Sequence, residues 1–167
     1  MWPSCAVLLT FVLAQQIELP RSIPKLQGKL LVATAKSRDH DLGRSVVLVI
    51  HSDVDGVIGL VINHPVAGTK PETWFGGPIP LDVRELFRSR EKPADAEMVF
   101  AGVYVSRKID DRAGSRVYAG YAGWSVPQWN DEVARGLWRI VPAETTLVFD
   151  AHPETLWRRL SNPKPRQ

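Results

Sequence analysis

The stretch Gly43–Pro65, which reads GRSVVLVIHSDVDGVIGLVINHP, constrains the fold more than any other part of the chain. It contains two β-branched and almost unbroken apolar runs, Val46–Ile50 and Val57–Ile62. Continuous apolar runs of this length are typical of strands that are covered on both faces. Ser52–Gly56 lies between them and supplies turn residues, with Gly56 free to adopt a positive φ. We therefore predict a central antiparallel hairpin with both faces buried.

The first 14 residues hold no charged side chain and contain the apolar run Cys5–Ala14. This composition is typical of the apolar region of a secretory signal peptide. We predict a signal peptide at 1–14, a linker at 15–26, one domain at 27–161 and a flexible tail at 162–167. Cleavage would place the protein in the periplasm or outside the cell without its only cysteine, Cys5. The alternatives are an uncleaved anchor, a misassigned start codon and a cytoplasmic protein.

Length and composition indicate one globular domain. A chain of 167 residues can bury a substantial core, and 44% hydrophobic and 23% charged residues exclude wholesale disorder. The net charge is +3, but the basic residues are spread along the sequence rather than clustered, which argues against a nucleic-acid interface. We expect no membrane span in the mature chain.

The other segments show short strand patterns. We predict strands at Lys29–Ala35, Met98–Val105, Arg116–Ala122 and Trp138–Val141. The charged segment Lys108–Ser115 is predicted to be a hairpin loop. Thr146–Phe149 fits either a strand or a buried turn of helix.

Three segments show helical patterns. Val83, Leu86 and Phe87 follow helical spacing and predict a short helix at 81–89. Ser125 and Gln128 have the spacing of a capping box, which predicts a helix at 126–135. Pro153 suits the first turn of a final helix. Three tryptophans at predicted helix or strand positions are interpreted as core residues: Trp129, Trp138 and Trp157.

Several motifs occur together in a fixed order. They are KLLVA at 29–33, RSVV at 44–47 after Asp41, DGVIGLVINHP at 55–65, GGP at 76–78, and GYAGW at 120–124 followed by Gln128 and GLW at 136–138. With these motifs the chain resembles the YqgE/AlgH family over 27–160. The resemblance implies an α+β fold in which a bent, bifurcated, mostly antiparallel sheet, partly closed as a small barrel, is surrounded by helices. It also implies a link to alginate regulation and a cytoplasmic setting, but no defined molecular activity.

The sequence contains no established catalytic signature, such as a phosphate-binding loop, a dinucleotide fingerprint, an HExxH motif or a nucleophile elbow. The four histidines, His40, His51, His64 and His152, do not have the spacing of a helical metal pair. We therefore predict no cofactor and no metal site. The acidic clusters at 39–41 and 53–56 are interpreted as turn residues, with a hard-cation site as the alternative.

Polar and glycine residues at the end of the second central strand and at two bends suggest a cleft that could hold a small polar or anionic ligand. The candidate cleft residues are Asn63, His64, Gly76, Gly77, Pro78, Gly120 and Trp124, together with Gly123. The alternative is structural: the asparagine fixes a turn, the glycines permit close packing, and the tryptophan belongs to the core.

These observations favour a non-enzymatic interaction or regulatory module that binds a protein or a small ligand. The first alternative is a small-molecule hydrolase that uses Asp or His in a glycine-lined cleft; it requires a histidine within hydrogen-bond reach of a carboxylate inside a pocket. The second alternative is a transcription-related nucleic-acid binder, which requires basic residues to converge on one face.

Overall fold

The computed structural model describes residues 23–66 and 73–162. The predicted signal peptide, most of the predicted linker and nearly all of the predicted tail lie outside the described residues. The strands are β1 (Lys29–Ala33), β2 (Val46–Ser52), β3 (Val57–Val61), β4 (Thr73–Phe75), β5 (Ile79–Arg88), β6 (Glu97–Phe100), β7 (Val103–Ser106), β8 (Arg116–Trp124) and β9 (Trp138–Pro142). The helices are α1 (Val126–Ala134), α2 (Thr145–Val148) and α3 (Pro153–Ser161).

The central hairpin is confirmed. β2 and β3 pair antiparallel with Leu48 opposite Leu60, and both strands are almost completely buried. Alternate residues belong to different core clusters: Leu48 packs in the cluster that contains residues of α2 and α3, whereas Val47 packs with Trp129 of α1. The continuous apolar runs therefore exist because the sheet is covered on both faces.

The strands form one mixed but mostly antiparallel sheet. Their order is β6-β7-β5-β8-β3-β2-β1-β9, and β4 pairs with β8 in parallel. The sheet curls into a half-barrel, so that Nε2 of Gln27 donates a hydrogen bond to the carbonyl oxygen of Met98 in β6 at 2.7 Å. This curled sheet with its few helices confirms the α+β class. Encirclement of the sheet by helices stays a prediction.

The predicted helix at 81–89 is wrong, because this segment belongs to β5. β5 pairs with β8 on one side and with β7 on the other. Its polar residues Arg84 and Glu85 are buried, with Glu85 0% exposed, whereas Leu81 is 84% exposed. Arg112, from the segment before β8, forms an ion pair with Glu85, and the backbone N–H of Arg112 donates to the same carboxylate at 2.7 Å. Pairing with distant parts of the chain thus overrides the local helical spacing.

One strand prediction and one loop prediction also need correction. The segment predicted as one strand, Met98–Val105, forms β6 and β7 with a tight turn between them, where Gly102 has a φ of 78°. Only glycine adopts this backbone conformation readily, so the turn depends on it. Lys108–Ser115 is not a hairpin loop, because β5 lies between β7 and β8 in the sheet.

The other helix predictions agree with the structure. The hydroxyl of Ser125 accepts the backbone N–H of Gln128 at the start of α1, as the capping-box spacing predicted. α3 begins at Pro153. Thr146–Phe149 is resolved in favour of helix, because α2 covers Thr145–Val148.

Candidate binding site

Asn63 lies just beyond β3 and fixes the end of the central hairpin. Its side chain is buried, its Oδ1 accepts the backbone N–H of Val46 at 2.8 Å, and its Nδ2 donates to the carbonyl oxygen of Arg44 at 3.0 Å. The amide therefore satisfies backbone groups at the start of β2. Both the oxygen and the nitrogen of the Asn63 amide are therefore engaged in hydrogen bonds.

The predicted cleft glycines contact each other through their backbones. A Cβ on Gly76 would lie 2.1 Å from the carbonyl oxygen of Gly120, and a Cβ on Gly77 would lie 2.1 Å from the carbonyl carbon of Tyr121. The carbonyl oxygen of Gly76 also accepts the backbone N–H of Val61 at 2.8 Å. These glycines allow two backbone segments to approach closely, and Pro78 beside them is exposed.

His64 is half-buried beside this bend. Its ring stacks on Phe75 with the ring centroids 6.2 Å apart, and its carbonyl oxygen accepts the backbone N–H of Phe75 at 3.1 Å. Burial lowers the pKa of His64, because the low-dielectric surroundings disfavour the charged imidazolium. The structure thus brings Asn63 and His64 to the Gly76–Gly77 bend. A ligand at this place stays a prediction.

Trp124 and Gly123 line a different cleft, which we call the acidic pocket. It has a volume of about 500 Å³ and lies between the β2–β3 turn, the end of β8 and the beginning of β5. Its lining residues are His51, Asp53, Asp55, Gly56, Val57, Ile58, Ile79, Tyr121, Gly123, Trp124 and Ser125.

The sheet register creates this pocket. Ile58 of β3 lies opposite Gly123 of β8, and Ile79 of β5 lies opposite Tyr121. The missing side chain at Gly123 leaves space between these apolar neighbours: a Cβ there would already lie 3.1 Å from Cδ1 of Ile79. The interior of the pocket is therefore apolar and open.

Trp124 forms a fixed wall of the pocket. Its indole Nε1 donates to Oε2 of Glu132 at 2.8 Å, and Nε1 of Trp138 donates to the same oxygen at 2.6 Å. Trp124 also packs edge-to-face against Trp129 and Trp138. The interpretation of Trp129 and Trp138 as core residues is confirmed by their burial.

A histidine–carboxylate pair stands at the mouth of the acidic pocket. Nε2 of His51 lies 2.9 Å from Oδ2 of Asp53, and both side chains are nearly half exposed. The register of β2 against β3 shifts between Val49 and His51, which places His51 next to the turn. The sequence interpretation missed this pair, although an alternating His-x-Asp spacing at a strand end puts both side chains on the same side.

The carboxylate of Asp53 is held in its charged form. Hydrogen bonds from His51 and from the backbone N–H of Asp55 lower the pKa of Asp53 and outweigh the opposing effect of burial. Its Oδ1 accepts the backbone N–H of Asp55 at 2.9 Å and that of Gly56 at 3.3 Å. These are the local turn contacts predicted for the 53–56 cluster.

Charge distinguishes the acidic pocket from the other clefts. Asp53 and Asp55 line it, and no Lys or Arg does. Four other clefts in the described part of the chain each contain basic side chains. Their basic residues are Lys36, Arg38 and Arg135 in the first; Arg84, Arg107 and Lys108 in the second; Arg88 and Arg116 in the third; and Arg139 in the fourth.

Two exposed apolar residues lie close in the chain to residues that line the acidic pocket, namely Asp53, Asp55 and Ile79. Val54 at the tip of the β2–β3 turn and Leu81 in β5 are each 84% exposed. Leu81 lies where the register of β5 against β8 shifts between Ile79 and Val83. Since β8 lies between β3 and β5, Val54 of the β2–β3 turn and Leu81 of β5 lie on either side of β8, whose end lines the pocket.

Within residues 23–66 and 73–162, no group of three or more His, Cys, Asp or Glu side chains is arranged to hold a metal ion. Among the helices formed by these residues, none is long and apolar enough to cross a membrane.

Comparisons with known proteins agree with the motifs. A UPF0301 protein of Streptomyces avermitilis is 30% identical, with 83% of this chain and 86% of the relative covered. A UPF0301 protein of Methylococcus capsulatus is 27% identical, with 84% and 92% covered.

Two solved structures share the fold. A Corynebacterium diphtheriae protein, DIP2367, matches with a TM-score of 0.72 and 20% identity over 86% of this chain and 90% of that chain. The AlgH protein of Pseudomonas aeruginosa matches with a TM-score of 0.66 and 24% identity over 86% and 89%. The model of the AlgH-like family (DUF179) matches residues 30–164. The chain therefore belongs to the AlgH-like family.

Proposed function

We propose that this protein is a non-enzymatic binding module and that the acidic pocket is its binding site. The observation that carries the proposal is a largely apolar cleft that is also lined by Asp53 and Asp55, with the exposed apolar residues Val54 and Leu81 next to these lining segments in the chain. Exposed apolar surface rimmed by charge is typical of sites that bind a ligand or another protein.

The size and rigidity of the pocket support this function. A volume of about 500 Å³ falls within the usual range for ligand pockets of roughly 300–1,000 Å³. Trp124 is fixed by its hydrogen bond to Glu132 and by its contacts with two other tryptophans. A wall that is already ordered loses little conformational entropy when a ligand binds.

A fragment screen by ligand-observed NMR tests the proposal on the full chain, with a library of small aromatic and aliphatic amines and acids. Gly123→Val fills the pocket, since even a Cβ at this position already lies within 3.1 Å of Ile79. We expect fragments to bind the wild type and to lose binding in Gly123→Val. Ala119→Val, an exposed position on the same strand, is the matched control and should keep binding. Fragments that bind all three proteins equally, or none at all, would refute the proposed site.

The His51–Asp53 pair favours one second candidate, a small-molecule hydrolase. The pair meets the requirement of a histidine bonded to a carboxylate in a glycine-containing pocket. Hydrolysis of p-nitrophenyl acetate separates the two functions. A hydrolase would show saturable turnover that His51→Asn abolishes, whereas His40→Asn, which alters the exposed His40–Asp41 pair, would retain it. Our proposal expects the same slow, unsaturable reaction in all three proteins.

The bend formed by Asn63, His64, Gly76 and Gly77 is a second candidate place for a small polar ligand. The hydrogen bond between Val61 and Gly76 supports it, because it brings the two segments together. Protein-observed NMR with the same fragments distinguishes the two sites: a ligand at the bend would shift the backbone amides of Gly76 and Gly77 and would still bind Gly123→Val.

The apolar run at Cys5–Ala14 supports a location in the cell envelope after cleavage of a signal peptide. N-terminal sequencing of the protein from its native cell tests this proposal. A mature chain that begins near Gln15 would support export, and a chain that retains Met1 in the cytoplasm would refute it.

A further inference from the structure

We infer that the acidic pocket binds a segment of another protein in which an apolar side chain stands next to a lysine or arginine. This inference rests on the proposed binding function of the pocket and adds the chemistry of its partner. Three features of the described residues carry it: the sign of the charge, the position of the carboxylates, and the width of the apolar surface.

The charge of the pocket is opposite to that of the whole chain. The chain has a net charge of +3, and four other clefts in the described part of the chain each contain at least one Lys or Arg. The acidic pocket is lined by the carboxylates of Asp53 and Asp55 and by no Lys or Arg. Complementary charge at a binding site selects between partners and steers their approach, so this pocket selects a cationic group.

The two carboxylates lie at the edge of the pocket rather than inside it. Asp53 and Asp55 belong to the exposed β2–β3 turn, whereas the interior is formed by Ile58, Ile79 and Tyr121. A partner therefore needs an apolar group that enters the pocket and a cation that remains at its rim. Adjacent apolar and basic side chains in a polypeptide provide this arrangement.

The apolar surface is wider than the pocket itself. Val54, between the lining residues Asp53 and Asp55, and Leu81, two residues after the lining residue Ile79, are each 84% exposed and lie on either side of β8. A small organic cation that fills the pocket would leave both of them in water. A polypeptide segment that crosses the mouth of the pocket covers both, which is why we assign the partner to a protein rather than to a metabolite.

Binding of short capped peptides to the full chain, followed by backbone amide shifts in NMR, tests the inference. The probes are three tetrapeptides with the central pairs Phe-Arg, Phe-Glu and Ala-Arg, together with phenethylamine as a small cation. We expect the Phe-Arg peptide to shift the amides of Gly56 and Gly123 and to bind more tightly than the other probes. Raising the salt concentration should weaken its binding.

Variants of the turn test the role of its charge. Asp53→Asn keeps the oxygen that accepts the backbone N–H groups of Asp55 and Gly56, so the turn is preserved. In the double variant Asp53→Asn with Asp55→Asn, we expect affinity for the Phe-Arg peptide to fall about fivefold. Asp41→Asn, which removes a carboxylate paired with an exposed histidine elsewhere on the surface, should leave affinity unchanged.

The outcomes separate this inference from the proposed function. Equal binding of the Phe-Glu and Phe-Arg peptides would overturn the charge preference, and equal binding of phenethylamine would overturn the assignment to a protein. If fragments bind the pocket but no peptide does, the inference fails and the proposed function stands. If neither fragments nor peptides bind, both fail.

Discussion

Oδ1 of Asn63 accepts the backbone N–H of Val46 at 2.8 Å, and this contact holds the end of the central hairpin together. Asn63→Ala removes this acceptor and also the donor to the carbonyl oxygen of Arg44. We expect the free energy of unfolding in urea to fall by about 1–3 kcal/mol, because buried backbone groups lose their partners. The exposed Asn162 is the control, and Asn162→Ala should change stability by less than about 0.5 kcal/mol. Equal losses of stability in Asn63→Ala and Asn162→Ala would contradict the stabilising role of the Asn63 side chain.

Glu85→Gln tests the buried ion pair with Arg112. Burial by itself would raise the pKa of Glu85, but hydrogen bonds from Asp110, Ser115 and Arg112, together with the guanidinium charge, hold its pKa below the ordinary value. The substitution weakens these contacts, and we expect a loss of about 3 kcal/mol in the free energy of unfolding at neutral pH.

The pH dependence of the stability loss in Glu85→Gln follows from the direction in which the pKa of Glu85 is shifted. A carboxyl with a lowered folded-state pKa stabilises the protein above its unfolded-state pKa, near 4.5, and this stabilisation disappears as the pH falls through the folded-state pKa. The difference between wild type and Glu85→Gln should therefore shrink in acid. Glu91→Gln, at an exposed position, is the control for the loss of one carboxylate. A difference that stays constant between neutral and acid pH would contradict the prediction.

Glu132→Ala removes the shared acceptor of the two indole N–H groups of Trp124 and Trp138. We expect a loss of about 2–4 kcal/mol in unfolding free energy, since two buried donors lose their partner. Tryptophan fluorescence should also shift to longer wavelength as water reaches the rings. Asp131→Ala on the same helix removes an exposed pair with Arg135 and should cost no more than about 0.5 kcal/mol. An unchanged emission spectrum in Glu132→Ala would count against the role of Glu132.

Two glycine substitutions separate close packing from backbone conformation. In Gly76→Ala the new Cβ would lie 2.1 Å from the carbonyl oxygen of Gly120, so the backbones must move apart. In Gly102→Ala the nearest atom lies 3.8 Å away, and only the positive φ of 78° is unfavourable. We expect Gly102→Ala to cost about 1–2 kcal/mol and Gly76→Ala to cost more, as measured by urea unfolding. A larger loss of stability in Gly102→Ala than in Gly76→Ala would show that the backbone at Gly76 is not closely packed against Gly120.

The parts of the fold that the sequence predicts correctly are those that depend on local chemistry. The β2–β3 hairpin follows from its apolar runs and its glycine turn, and α1 follows from the Ser125–Gln128 cap. The 81–89 segment is predicted as a helix from the spacing of Val83, Leu86 and Phe87, but it forms β5, in which the polar residues Arg84 and Glu85 are buried. Their burial depends on Asp82 and Arg112, and the second of these comes from a distant segment that no local pattern connects with β5.

The candidate site depends in a similar way on pairing between distant strands. The sequence drew attention to Trp124 and Gly123, but it could not show that Ile58 lies opposite Gly123 or that Ile79 lies opposite Tyr121. The His51–Asp53 contact depends on the register shift after Val49, which the uniform apolar run does not reveal. The acidic pocket is thus a product of sheet register.

The pairing of β1 with β9 imposes an order on biosynthesis. Lys29 pairs with Pro142, so the free edge of β1 stays without that partner until most of the domain has left the ribosome. The hairpin of β2 and β3 can form early, because its strands are close in the chain, whereas closure by β9 must wait. During this interval the nascent chain presents an apolar edge to the cell, and it is then that a chaperone would be most needed.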